Sequence, residues 1–233
     1  MFRQLFDPVS STFTYLLACE RTRVAVLIDP VLEQRERDLA LLSELGVQPR
    51  WLLDTHVHAD HVTAVSALKA ALPNGTAMTT AVGLACDAEG YEHALTHGDR
   101  LEFGDEHLDV IATPGHTPGS MSFLWRDKLF TGDALLIGGC GRTDFQGGDA
   151  GQLYDAVTQR LFTLPGETLV YPGHDYKGRR VSCIGEERDG NPRLAAKSRD
   201  EFIALMGALN LPRPKLIDIA VPANKQAGAL QQG

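Results

Sequence analysis

Within the stretch Thr55-His56-Val57-His58-Ala59-Asp60-His61 the chain carries four side chains of the kinds that bind metal ions. An apolar run, Trp51-Leu52-Leu53, leads into it and reads as a strand that delivers the cluster to its C-terminal end. In extended backbone, residues two apart project to the same side, so His56 and His58 are expected to aim at one point. Asp60 and His61 lie half a turn further on and are expected to face a neighbouring site. Neutral imidazole and carboxylate suit a divalent ion such as zinc or iron. The competing reading, a polar loop capping a helix that starts near Val62, leaves several polar groups in need of partners.

A chain of 233 residues is long enough to bury a real core. It is taken as one domain over 1–233, with a C-terminal helix and Pro-rich tail, about 190–233, packed on it. A formal charge of −8 argues against nucleic acid, which needs a basic face. Cys19, Cys86, Cys140 and Cys183 form no CxxC pair, which sets aside a zinc finger and makes a disulfide framework unexpected. No run of 18 apolar residues predicts a membrane span, and the N-terminus has no secretory pattern. The expected location is the cytoplasm, or the mitochondrial matrix where a presequence has been removed.

Residues 12–17 and 24–28 predict a hairpin, 33–45 a helix ended by Gly46, 62–72 a second helix and 76–80 a short strand. Between 83 and 100 the pattern is ambiguous; His93 and His97 are spaced as on one helix face but read as loop residues, and His107 as solvent-facing. Strands are predicted at 107–112, 120–125, 128–131 and 168–171, and helices at 150–162 and 199–209. The tail 211–223 is expected to wrap the surface without a helix. Strands and helices interleave, so the expectation is an α/β fold with two packed sheets between outer helices.

Three later stretches also end an apolar strand in a polar turn. They are Thr113-Pro114-Gly115-His116-Thr117-Pro118-Gly119-Ser120, Thr131-Gly132-Asp133 and Tyr171-Pro172-Gly173-His174-Asp175. Each alone is weak; together with residues 55–61 they form one constellation. The set resembles the metallo-β-lactamase superfamily, an αββα sandwich of two mixed sheets with its metals at the sheet edge. Cys140-Gly141-Arg142-Thr143-Asp144-Phe145-Gln146, Asn191-Pro192-Arg193 and Ile217-Asp218-Ile219-Ala220-Val221-Pro222-Ala223-Asn224 narrow the likeness to its persulfide dioxygenase branch. The likeness runs from about residue 5 to 224. Gly173, where alanine is the more usual residue, is a departure of no expected consequence; Lys177-Gly178-Arg179-Arg180 is more basic than expected.

In the superfamily His56, His58 and His116 would form one metal site. Asp60, His61 and His174 would form a second, with Asp133 between. The branch implies instead one Fe(II) per chain on His56, His116 and Asp133, with three coordination positions left open. His58, Asp60, His61, His174 and Asp175 then surround that ion or form a second site. The implied reaction oxidises glutathione persulfide with O₂ to sulfite and glutathione. Arg142, Tyr176, Arg179 and Cys140 are candidate substrate contacts, with an internal Arg142–Asp144 ion pair as the rival for the first. A homodimer and a rhodanese-type sulfurtransferase as supplier are further implications. The alternative is a dinuclear thioester hydrolase of the glyoxalase II type, for which the 59 residues after His174 leave little room.

Overall fold

The computed structural model describes residues 1–73 and 77–229. Strands β1 (Phe2–Asp7), β2 (Thr12–Ala18), β3 (Val24–Ile28), β4 (Gln48–Leu53), β5 (Thr79–Gly83) and β6 (His93–Leu95) form one sheet in sequential order. Its first three strands pair antiparallel and the rest parallel. Strands β7 (Arg100–Phe103), β8 (Glu106–Ala112), β9 (Met121–Trp125), β10 (Lys128–Gly132), β11 (Leu169–Pro172) and β12 (Ser182–Cys183) form the second, in which only β10 and β11 are parallel. Helices α1 (Arg35–Leu45) and α2 (Val65–Ala71) cover the first sheet. Helices α3 (Ala150–Ala156), continued by a π-helical turn Val157–Leu161, α4 (Ile184–Gly190) and α5 (Arg199–Gly207) belong with the second, and α6 (Ile217–Lys225) closes the chain. This is the αββα sandwich.

Period-2 alternation builds it. Phe13, Tyr15 and Leu17 of β2 join Val26 and Ile28 of β3 in the layer between the sheets, whereas Leu16, Ala18, Ala25 and Leu27 pack toward α1 and α2. In the second sheet Phe130 and Tyr171 face the shared layer, while Leu129 and Val170 meet the α3 and α5 side. Both sets are apolar, as strands covered on two faces require.

Several expectations need correction. β1 precedes the predicted hairpin; it is a half-exposed edge strand with a weak pattern. α2 starts at Val65 rather than 62, because Thr63 is held by side-chain contacts to Asp54 and Asn224. The strand expected at 76–80 is observed at Thr79–Gly83; residue 76 lies outside the described residues. His93 and His97 share no helix: His93 sits on β6 beside Trp51, and both are exposed. α4 was not foreseen. Nor was α6, which forms despite Pro222 because Ile217, Ala220, Ala223 and Asn224 recur on one buried face. No helix among the described residues is long and apolar enough to cross a membrane.

The loops after β4, β8, β10 and β11 meet at one end of the sandwich. Met121 N donates to Thr55 O (2.8 Å) and Phe13 N to Gly173 O (2.8 Å), so backbone bonds sew the two sheets together there. Phe130 anchors the layer beneath, with its ring 4.8 Å from Tyr15 and 5.6 Å from Tyr171. Phe130→Ala is expected to lower unfolding free energy by about 4 kcal/mol in denaturant titration of the metal-loaded protein.

Candidate metal centre

One ligating atom each from His56, His116 and Asp133 lies within 4.8 Å of the others. Their hydrogen bonds fix which atoms are offered. His116 Nδ1 lies 2.7 Å from the Arg142 carbonyl, which can only accept, so Nδ1 carries the proton and Nε2 a lone pair. Thr55 Oγ1 donates to Asp29 (3.0 Å) and so accepts from His56 Nδ1 (3.0 Å); His56 Nε2 is likewise left with a lone pair. Asp133 gives Oδ1 to His174 Nδ1 (2.6 Å) and keeps Oδ2, which lies 3.7 Å from His116 Nε2. Two imidazole lone pairs and one carboxylate oxygen, each oriented by a partner on its far side, fit a divalent ion.

His174 is gripped at both nitrogens, since its Nε2 lies 2.9 Å from Asp60 Oδ2. His61 Nδ1 (2.9 Å) and Thr12 Oγ1 (3.1 Å) meet the same oxygen. Burial opposes charge on Asp133, but His174, then His116 and His56, hold its carboxyl well below the usual carboxylate range. Burial likewise opposes an imidazolium at His174, and Asp133 and Asp60 overcome it, raising its pKa well above the ordinary histidine value. Burial, with His58 and His116 beside it, lowers His56 and keeps it a neutral ligand.

His58 lies against His56 with ring centroids 4.1 Å apart and planes tilted by 49°, but sends Nε2 to Asp29 (3.1 Å). It groups with Asp60 and His61, and again with Asp29 and Asp54, rather than with the three-residue set. Nδ1 of His58 and Nε2 of His61 are buried and have no partner among the described residues, a condition a cation, or water ordered by one, relieves. Asp175 accepts from Lys177 N and Arg179 N and so shapes the next turn. Gly173 is not neutral ground: a Cβ there would lie 2.7 Å from Asp133 Oδ1, so an alanine requires that carboxylate to move.

The three candidate ligands open on a cavity of about 540 Å³, a volume suited to a small organic ligand. Its walls include Leu136, Ile137, Cys140, Leu211 and Pro212, with Tyr176, Lys177 and Arg193 also lining it. Tyr176 stacks on His174 (5.9 Å, 4° between planes) and is largely exposed. Arg142 lines the cavity, but its guanidinium takes Asp144 with two nitrogens (2.6 and 2.7 Å) and the Pro212 carbonyl (2.7 Å). Arg179 pairs with Glu186 (2.6 Å) and does not line the cavity. Arg193, to which the sequence pattern assigns no role, also lines the cavity. Among the described residues its guanidinium donates through Nη1 alone, to Cys140 O (2.7 Å) and more weakly to its Sγ. A lone arginine in an Asn-Pro-Arg turn was the only available signal. Asp29 and Thr55 were also missed, because hydrogen bonds from behind a ligand leave no spacing pattern.

Residues 7–174 match the metallo-beta-lactamase superfamily. Human mitochondrial persulfide dioxygenase ETHE1 is 50% identical over 98% of this chain and 89% of its own length. The chain belongs to this superfamily, in its persulfide dioxygenase branch. The crystal structure of ETHE1 from Myxococcus xanthus superposes with a TM-score of 0.94 at 57% identity, covering 98% of this chain and all of that one. A hydroxyacylglutathione hydrolase from Rhodospirillum rubrum is 37% identical over 82% of this chain and 72% of its own length.

Two outcomes follow for the branch member described here. Asp29→Asn removes the charge behind Thr55 and His58 and is expected to weaken metal affinity roughly 10- to 100-fold in chelator competition. Burial pushes the Cys140 thiol up to about 11. Its alkylation by iodoacetamide at pH 8 should therefore run roughly two orders of magnitude below that of an ordinary thiol and rise with pH toward that value, as read by mass spectrometry.

Proposed function

We propose that this chain oxidises the sulfane sulfur of glutathione persulfide with O₂ at a single Fe(II) held by His56, His116 and Asp133. One observation carries the reading: three oriented ligand atoms face a cavity that Lys177 and Arg193 also line, in a chain half identical to a persulfide dioxygenase. Bound there, ferrous iron would supply redox chemistry and the open positions that a two-histidine, one-carboxylate set leaves. The overall balance is GSSH + O₂ + H₂O giving GSH, sulfite and two protons.

The chain's own residues confine and orient. Leu136, Ile137, Leu211 and Pro212 give the sulfur end an apolar wall that limits water. Glutathione brings two carboxylates, and Arg193 offers a planar fork whose remaining nitrogens have no partner among the described residues. Lys177 adds a second cation at the mouth and Tyr176 a face for the peptide. Arg142 acts indirectly here, tying the 211–212 backbone to the cavity wall.

Likeness to the persulfide dioxygenase, greater than that to the hydrolase, supports one metal over two. His174 meets a carboxylate oxygen at each nitrogen and so ties Asp133 to Asp60 behind the ion. The hydrolase reading needs that second ion. Family likeness alone supports a homodimer, a sulfurtransferase as persulfide supplier, and a cytoplasmic or mitochondrial setting.

After anaerobic purification we expect about one iron per chain and oxygen uptake with glutathione persulfide, but no hydrolysis of lactoylglutathione. His116→Ala and Asp133→Ala should lose iron and oxygen uptake together; uptake retained in either variant removes that residue from the set. Arg193→Ala should raise KM for the persulfide about tenfold or more with iron still bound, and an unchanged KM would discard its role. A zinc pair with thioester hydrolysis would replace the reading outright.

A further inference from the structure

Asn224, fully buried near the end of α6, commits its whole side-chain amide to the metal loop. Nδ2 donates to His58 O (2.9 Å) and to His61 O (2.8 Å), and Oδ1 accepts from Thr63 N (2.9 Å). The end of α6 is seated by contacts that do not involve this amide. Gly90 N donates to Lys225 O and Ser66 N to Ala227 O, and Ala220 and Ala223 pack against Val62. Gly228, at φ +83°, lies so close to Thr63 that a Cβ would fall 2.1 Å from its carbonyl oxygen. The amide thus reaches the loop from a fixed base.

We infer that Asn224 is a positioning residue for the metal set, acting through the curvature of residues 56–63. The two N–H groups of one planar amide diverge, so they hold two carbonyls three residues apart only while the loop turns between them. That turn directs His56 to the ion and Asp60 to His174 from opposite ends of one short segment. Asn224 touches neither ion nor substrate. The inference needs a divalent ion on His56, His116 and Asp133 but not that the ion be iron, and its test needs neither persulfide nor turnover.

The probe is cobalt(II) loaded into the full chain, whose visible d–d bands report ligand geometry. Asn224→Ala removes all three contacts. Asn224→Asp keeps the acceptor and turns a second oxygen on two carbonyls. Both are expected to shift the cobalt bands and to release the ion to EDTA at least tenfold faster than the parent. Ile219→Ala, on the 59% exposed side of the same helix, should match the parent in both. Parental bands and release in both Asn224 variants would overturn the inference. So would faster release with unaltered bands, which would assign the residue to general stability. Should neither variant accumulate, Asn224→Ser, which keeps one donor, carries the test: intermediate behaviour supports the inference and parental behaviour overturns it.

Discussion

A buried imidazole clasped between two carboxylates, Asp133–His174–Asp60, is the contact on which the site depends. Its members come from different sheets: Asp60 follows β4 in the first, and Asp133 and His174 follow β10 and β11 in the second. Ionised carboxylates at this depth are tolerated because each has a hydrogen-bonded partner of opposite charge; removing one would strand the other. The layer of Tyr15, Phe130 and Tyr171 below holds the two sheets at the spacing the clasp requires. Sheet packing and site geometry are therefore one problem, solved at the same end of the sandwich.

Behind the ligands stands a second layer that does no chemistry and decides orientation. Asp29 fixes Thr55, Thr55 fixes the His56 tautomer, and the Arg142 carbonyl does the same for His116. Histidines in such a cluster would otherwise sample both tautomers and several rotamers. These partners orient His56, His116 and Asp133 toward one point, with the other candidate ligands hydrogen-bonded around them. The late chain completes the cavity walls begun by residues 136–142, through Arg193 and the Leu211–Pro214 segment, which Arg142 fastens at the Pro212 carbonyl.

Local pattern and motif spacing made much of this legible before any coordinates. The ligand-bearing loops, the two-sheet architecture and the family could be read because strand-end turns and histidine clusters are short-range signals. Weak or overruled patterns were not legible: the half-exposed β1, the short α4, and α6 with proline in its interior. Arg142 and Arg179 show the same limit at the side-chain level. The sequence showed cations near the site, and only the fold showed that Asp144 and Glu186 already hold them, leaving Arg193.

By itself, then, the order of residues determined which side chains are available to a metal and that apolar strands deliver them to one edge, because both depend on neighbours within a few positions. Tertiary structure alone decided which of those side chains converge, which nitrogen each imidazole presents, and which cavity arginine keeps guanidinium nitrogens without a partner among the described residues. Those outcomes depend on partners that only the fold brings together, some more than a hundred residues apart, such as His174 against Asp60 and Asn224 against His58 and His61. No local rule of spacing carries information over that distance; a packed interior does, because every buried polar atom in it must find a partner.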